Sequence, residues 1–298
     1  MLLSTQTDVL AARFGDERAI RILADAGFDA FDYSMFSMNF DGGIAPEHPL
    51  NQPDYLNYAR KLRRVADEAG IVCNQAHAPF SFRDWTDEEK FNTVIVPAVK
   101  RAIEAAGVLG ARVIVVHPIH HDKNGTAEER FAWNMRYYGD LLKTAEQANV
   151  RIATENMWQI DDRRRYIVDD SCSTAAEFNR YIDTMAHPLF TGCLDLGHCG
   201  LTGSDPAEMI RAMGADRVGA LHVHDNDYLH DSHTMPFLSK MDWDAITRAL
   251  ADIGYRGDFT FEADNFFKGM DDDFLPTAEK FLHDCGRYLI RKIEQAKA

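Results

Sequence analysis

Cysteine is scarce in this 298-residue chain, and its spacing shows no pairing: Cys73, Cys172, Cys193, Cys199 and Cys285 form no CxxC. An odd count without paired spacing excludes a disulfide framework and a zinc ribbon, and it reads as reduced thiols of a cytosolic protein. Long apolar runs are missing too. No stretch reaches the length of a membrane span, and MLLSTQTDVL lacks the basic start and apolar centre of a signal peptide. No GxGxxG or P-loop stands on an early turn, which argues against dinucleotide and P-loop nucleotide chemistry. No GxSxG or Cys–His pairing marks a covalent nucleophile. Basic residues are few: 32 Lys and Arg against 47 Asp and Glu give a net charge of −15. Such a surface repels phosphate backbones unless a local patch overrides it. The run Arg163-Arg164-Arg165 reads as a solvated loop or helix end. Linkers and low-complexity segments are absent, so residues 1–298 are expected to form one domain.

What the chain has is a repeated design. Short apolar runs end in committed polar side chains: His117 in RVIVVHP, Glu155 in RIATEN, Asp195 in TGCLDLGH, His222 in GALHVHD and Glu262 in DFTFEAD. Runs of this length bounded by polar residues read as buried parallel strands. The spacings are 38, 40, 27 and 40 residues, about one strand–helix–strand unit each. A buried strand carries an acid or imidazole only where that group has a partner. Five strands ending alike predict a metal site at the C-terminal mouth of a parallel (β/α)8 TIM barrel.

The remaining segments complete the count. Strands are expected at 2–9, 28–35, 71–79, 112–118, 151–157, 191–198, 219–225 and 258–264. Helices are expected at 17–26, 54–69, up to Gly110, 126–149, from a cap at Ser173 to Met185, 206–213, 243–253, and from near Pro276 onward. Eight units in sequence imply right-handed crossovers and a closed barrel; the alternative is an open doubly wound sheet.

A lone buried carboxylate at Glu155 or Glu262 would lose its charge, and a cation solves that problem. Asp195 and His198 stand three apart where the strand should turn outward. Residues 222–233, HVHDNDYLHDSH, hold four histidines and three aspartates. His222 and His224 share one face of a strand, one expected in contact with a metal and the other supporting it or meeting substrate. His77 and His117 end the third and fourth strands, where a core imidazole bonded to backbone is the plain alternative. His120 and His121 read as solvated or substrate-facing, and His48, His187 and His283 as structural or surface. Phe80, Phe82 and Trp158 follow strand ends and offer flat apolar walls for the C–H face of a sugar.

The motifs HAPF, VVHP, ENMW, LDLGH, HVHDND and GDFTFEAD occur in this order from residue 77 to 264. In this they resemble the xylose isomerase-like TIM-barrel superfamily, in its sugar phosphate isomerase/epimerase branch. The resemblance to ketose 3-epimerases implies one divalent ion held by Glu155, Asp195, His222 and Glu262. It also implies that Glu155 and Glu262 are the acid–base pair and that His198 touches substrate. An Arg shortly after the metal histidine in those enzymes is replaced here by Tyr228 or His230. The chain also resembles endonuclease IV, whose extra metal ligands match His77, His117, His198, Asp231 and His233.

The expected function is that of a metal-dependent sugar or sugar phosphate isomerase or epimerase working through an enediolate, on a small carbohydrate. Oxygen-rich ligation favours Mn2+, Mg2+ or Co2+, and the added histidines favour Zn2+. The alternatives are a zinc-dependent phosphodiester hydrolase, a polyol dehydratase and a sugar-binding barrel without turnover. The acidic balance speaks against nucleic acid as a partner, no membrane partner is expected, and the C-terminal helix offers a surface for a homo-oligomer.

Overall fold

The computed structural model describes residues 1–40, 43–80, 87–120 and 125–297. His121 and Phe82 lie outside them. Eight parallel strands form one sheet: β1 (Leu3–Gln6), β2 (Ala30–Ser34), β3 (Val72–His77), β4 (Val113–Val115), β5 (Arg151–Glu155), β6 (Phe190–Asp195), β7 (Val218–His222) and β8 (Phe259–Phe261). Each pairs with its neighbours in chain order, and β8 returns to β1 with Leu3 beside Phe259. A parallel bridge between Val223 and Phe261 joins β7 to β8, so the sheet closes into the expected (β/α)8 barrel. The open-sheet alternative is excluded.

Eight helices surround it: α1 (Asp16–Ala26), α2 (Tyr55–Ala69), α3 (Val96–Leu109), α4 (Ala127–Ala148), α5 (Ala175–Met185), α6 (Pro206–Met213), α7 (Trp243–Asp252) and α8 (Leu275–Lys297). Local chemistry sets their limits. Thr126 and Glu129 form a reciprocal capping box on α4. Asp205 and Asp242 accept first-turn amides of α6 and α7. Gly70 and Gly110 end α2 and α3 with φ of 72° and 95°, a conformation that favours glycine. The cap of α5 is Thr174, not Ser173, because its hydroxyl accepts the Glu177 amide. Other departures are short elements. The first strand stops at Gln6, and a helix at Asp8–Phe14 follows. Asp195 ends its strand and caps a helix at Leu196–Leu201. Asn39–Phe40 pairs antiparallel with Gly43–Ile44, and a small hairpin forms at 158–169.

Alternation decides what faces inward. Ile114, Ile152, Leu194 and Leu221 belong to the large core between strands and helices. Val113, Val115, Ala153, Cys193 and Ala220 form a separate small cluster within the barrel. Two residues beyond the last four of these stand His117, Glu155, Asp195 and His222. A period of two therefore delivers all four side chains to the barrel's upper layer.

Candidate metal centre

His222 lies at the middle of that layer. Its Nδ1 is 2.9 Å from Glu155 Oε1 and 3.0 Å from Glu262 Oε2. Glu155 Oε2 is 2.9 Å from His117 Nε2, and His117 Nε2 is 3.1 Å from His77 Nε2. Gln6 donates to Glu262 Oε1 at 2.6 Å, and Gln75 donates to Asp32 at 2.7 Å, 3.6 Å from His222 Nε2. Asp195 faces His224 Nε2 at 3.0 Å and 3.1 Å. His233 Nε2 is 3.1 Å from Asp231, to which the Trp158 indole also donates at 3.1 Å. His198 Nε2 lies 3.5 Å from the same carboxylate.

The ring orientations are set from behind. His77 Nδ1 donates to the Ala78 carbonyl, His198 Nδ1 to the Asn156 carbonyl and His233 Nδ1 to the Glu262 carbonyl, each at 2.8 Å. Such bonds orient each ring and turn its Nε2 toward the carboxylates, as outer partners do for metal-ligating histidines. Asn156 reaches across to Asp195 with both its amide and its carbonyl oxygen.

Burial makes this arrangement expensive. Glu155, Asp195 and His222 are at most 1% exposed, and a buried ion costs on the order of several kcal/mol even after relaxation. Burial raises the pKa of Glu155, but His222 and His117 outweigh it and hold the carboxyl well below its ordinary range. Burial works against a charged His222 in the same way, yet the facing Glu262 and Glu155 hold its pKa well above 6.5. At His198, Asp195 and Asp231 overcome burial and push the pKa up to about 10. Burial dominates at His117, whose pKa is lowered despite Glu155.

Among the described residues the donors fall into four groups with ligand atoms within 4.8 Å of one another, three of them sharing members and the fourth separate. They are Glu155–Asp195–His222–Glu262, His77–His117–Glu155, His77–His222–Glu262 and His198–His224–Asp231–His233. Glu155 Oε2, His222 Nε2 and His224 Nδ1 are buried without a hydrogen bond. Oxygen and imidazole donors left open at such short separations fit a divalent cation.

Beside Glu262 and His233 opens a cavity of about 470 Å3 lined by Phe36, Phe80, Asp8 and Asp264. Phe36 stacks on Phe80 with centroids 4.4 Å apart. Burial, together with Glu262 and Asp8, raises the Asp264 pKa to about 8. Phe36, Gln6, Asp32 and Asp8 escaped the sequence reading because nothing in their local motifs is unusual. Only closure of β1 and β2 against β8 brings them here. His120 corrects an expectation: it is buried against Asp170 at 2.6 Å rather than solvated or substrate-facing. His230 is exposed and pairs with Asp227, and Arg163 and Arg164 sit in the exposed turn of the 158–169 hairpin.

A family model described as a xylose isomerase-like TIM barrel matches residues 20–275. The uncharacterized protein y4fM of Sinorhizobium fredii is 28% identical over 247 residues, 81% of this chain and 68% of that protein. A D-tagatose 3-epimerase-like protein has a TM-score of 0.74 and 20% identity, covering 100% of both chains. The 3-keto-D-glucoside 4-epimerase YcjR of E. coli has a TM-score of 0.71 and 17% identity, covering 97% of this chain and 99% of that one. At these identities the structural likeness is one of fold.

Proposed function

The chain belongs to the xylose isomerase-like TIM-barrel family, and on that premise we propose that it is a metal-dependent sugar isomerase or epimerase. The observation that carries the reading is the placement of two glutamates. Glu155 and Glu262 both approach one imidazole nitrogen, and Glu262 lines the cavity that Phe36 and Phe80 wall. Glu155, Asp195, His222 and Glu262 would hold a divalent ion, Mn2+, Mg2+ or Co2+ by their oxygen-rich chemistry. When bound, that ion supplies charge stabilisation for a carbonyl and the enediolate derived from it.

The chain's own residues do the rest. One glutamate removes the proton α to the carbonyl; the same glutamate returns it to a neighbouring carbon, or the other, after taking a proton from solvent, delivers it to the opposite face. His198 and His224, fixed by Asn156 and Asp195, meet the substrate hydroxyls. Phe36, Phe80 and Trp158 exclude water from the enediolate. The test is proton exchange. A panel of ketoses and aldoses incubated with the metal-loaded protein in D2O should lose a C–H signal in proton NMR, and Glu155→Gln and Glu262→Gln should each slow the exchange by about 100-fold or more. Absence of exchange for every sugar, with metal bound, rejects the reading.

A second reading, a metal-dependent phosphodiester hydrolase, draws on the additional donors His77, His117, His198, Asp231 and His233. The net charge of −15 opposes it. Elemental analysis separates the two: one ion per chain favours the isomerase. Two or three zinc ions, one lost in Asp231→Ala/His233→Ala, favour the hydrolase, as does cleavage of an abasic duplex.

A further inference from the structure

The opposite end of the barrel carries a feature that the proton-transfer chemistry does not use. A cavity of about 280 Å3 opens among the N-terminal ends of the strands, lined by Arg112, Arg151, Arg256, Asn74, Asp258 and Gly219 among others. Arg112 precedes β4, Arg151 opens β5, and Arg256 lies in the turn before β8. We propose that this cavity is a second ligand site, for a phosphate-class oxyanion.

Charge is the first argument. Three guanidiniums face one carboxylate here, in a chain whose net charge is −15. The carboxylate is already committed. Asp258 accepts the Leu2 amide at 3.0 Å, the Asn74 side chain at 3.0 Å and the Arg112 guanidinium. These bonds hold Arg112 in place. Arg151 and Arg256 have no hydrogen-bonded or ion-paired side-chain partner among the described residues, and the Arg151 Nε is buried without an acceptor. A guanidinium withdrawn from water without an acceptor is costly. Asp258 offsets the charge of Arg112, and no second carboxylate lines the cavity to offset Arg151 and Arg256.

Geometry and size complete the case. Each guanidinium presents five N–H donors in a planar fork that matches the oxygens of phosphate. The volume falls just below the roughly 300–1,000 Å3 typical of drug-sized ligands, which limits the occupant to inorganic phosphate or a small phosphomonoester. A purely structural role, the usual one for this face of a barrel, accounts for the Arg112–Asp258 pair. It leaves the buried Arg151 Nε without an acceptor and the Arg256 charge without a paired carboxylate.

The test titrates the full-length, metal-loaded protein with inorganic phosphate and separately with glycerol 3-phosphate, at ionic strength held constant with NaCl. Binding is read by calorimetry and by 31P NMR. One saturable equivalent per chain is expected for at least one probe, and the tighter probe identifies free phosphate or ester as the source. Arg256→Ala, at an exposed position, and Arg151→Gln should each weaken binding at least 5-fold. Arg151→Lys keeps the charge but not the fork and should recover part of the loss. Asp231→Asn at the other mouth should leave binding unchanged. The proposal is overturned if neither probe binds beyond the NaCl control. It is overturned equally if the arginine variants bind as well as wild type, or if Asp231→Asn abolishes binding.

Discussion

Three imidazoles of the carboxylate mouth carry a proton that a cation would have to displace. His222, His198 and His233 have pKa values raised by facing carboxylates against the effect of burial. To ligate a metal, such an imidazole must give up its proton. Metal uptake at neutral pH should therefore release protons, and affinity should rise as the pH increases. Calorimetry in buffers of different ionisation enthalpy measures the released protons. An affinity independent of pH between 6 and 8 contradicts this account of the raised imidazoles. Glu155→Gln and Asp195→Asn should lower metal affinity by about 100-fold or more, since even outer partners of ligands cost 10–100-fold. Elemental analysis and the melting temperature of the metal-loaded variants check this.

Two elements position those residues, and both rest on a few atoms. The short helix Leu196–Leu201 follows Asp195 directly, and His224 packs over its first turn. A Cβ on Gly197 would lie 2.1 Å from His224 Cε1. Gly197→Ala should displace the imidazole and reduce activity or metal content by roughly 10-fold, and forcing a methyl against a fully buried ring should also cost about 1–3 kcal/mol of stability. Equal metal content and unchanged exchange kinetics in that variant would show that His224 is not needed where it stands. The loop after β7 depends on Asp225, which is fully buried. Its carboxylate accepts the amides of Phe237, Ser239 and Met241 and the Trp243 indole. Asp225→Ala leaves four donors unpaired and should destabilise the fold by on the order of 2–4 kcal/mol. It should also loosen Asp231 and His233, which ride on the same loop. Urea unfolding and proteolysis within 227–240 are the measurements.

For the whole molecule, the decisive event is closure of the barrel, the first strand against the last and the last helix beside the first. Asp29, just before β2, ties the first strand to the last helix, accepting the Leu3 amide at 2.8 Å and a bond from Arg287 of α8. Partial burial raises its pKa, but Arg287 and the Leu3 amide outweigh it and hold the carboxyl below 3.8. A depressed carboxyl contributes stability above its unfolded pKa and loses it as the pH falls through the folded value. Wild type should therefore melt above Asp29→Asn at pH 7, and the gap should narrow below about pH 4. A gap that stays constant or widens on acidification contradicts the role of this pair.

Much of this protein was legible along the chain. The alternation of strand-like and helix-like segments, the glycine stops and the polar residues ending each apolar run identified eight units and the mouth of the barrel. This worked because strand periodicity and helix capping are local, and a period of two decides which side chain faces inward. Glu155, Asp195, His222 and Glu262 could be named on that basis together with the family resemblance. What local rules do not contain is proximity between distant strands. That Gln6 holds Glu262, that Asp32 stands behind His222 and that His120 is buried against Asp170 all follow from closure of the sheet. The same holds for the arginines at the far end of the barrel. Arg112, Arg151 and Arg256 are ordinary residues at three strand starts; pairing of neighbouring strands joins the first two, and only the closed cylinder brings Arg256 to the same cavity. Charge pairing depends on distance in space, and the tertiary structure alone sets that distance.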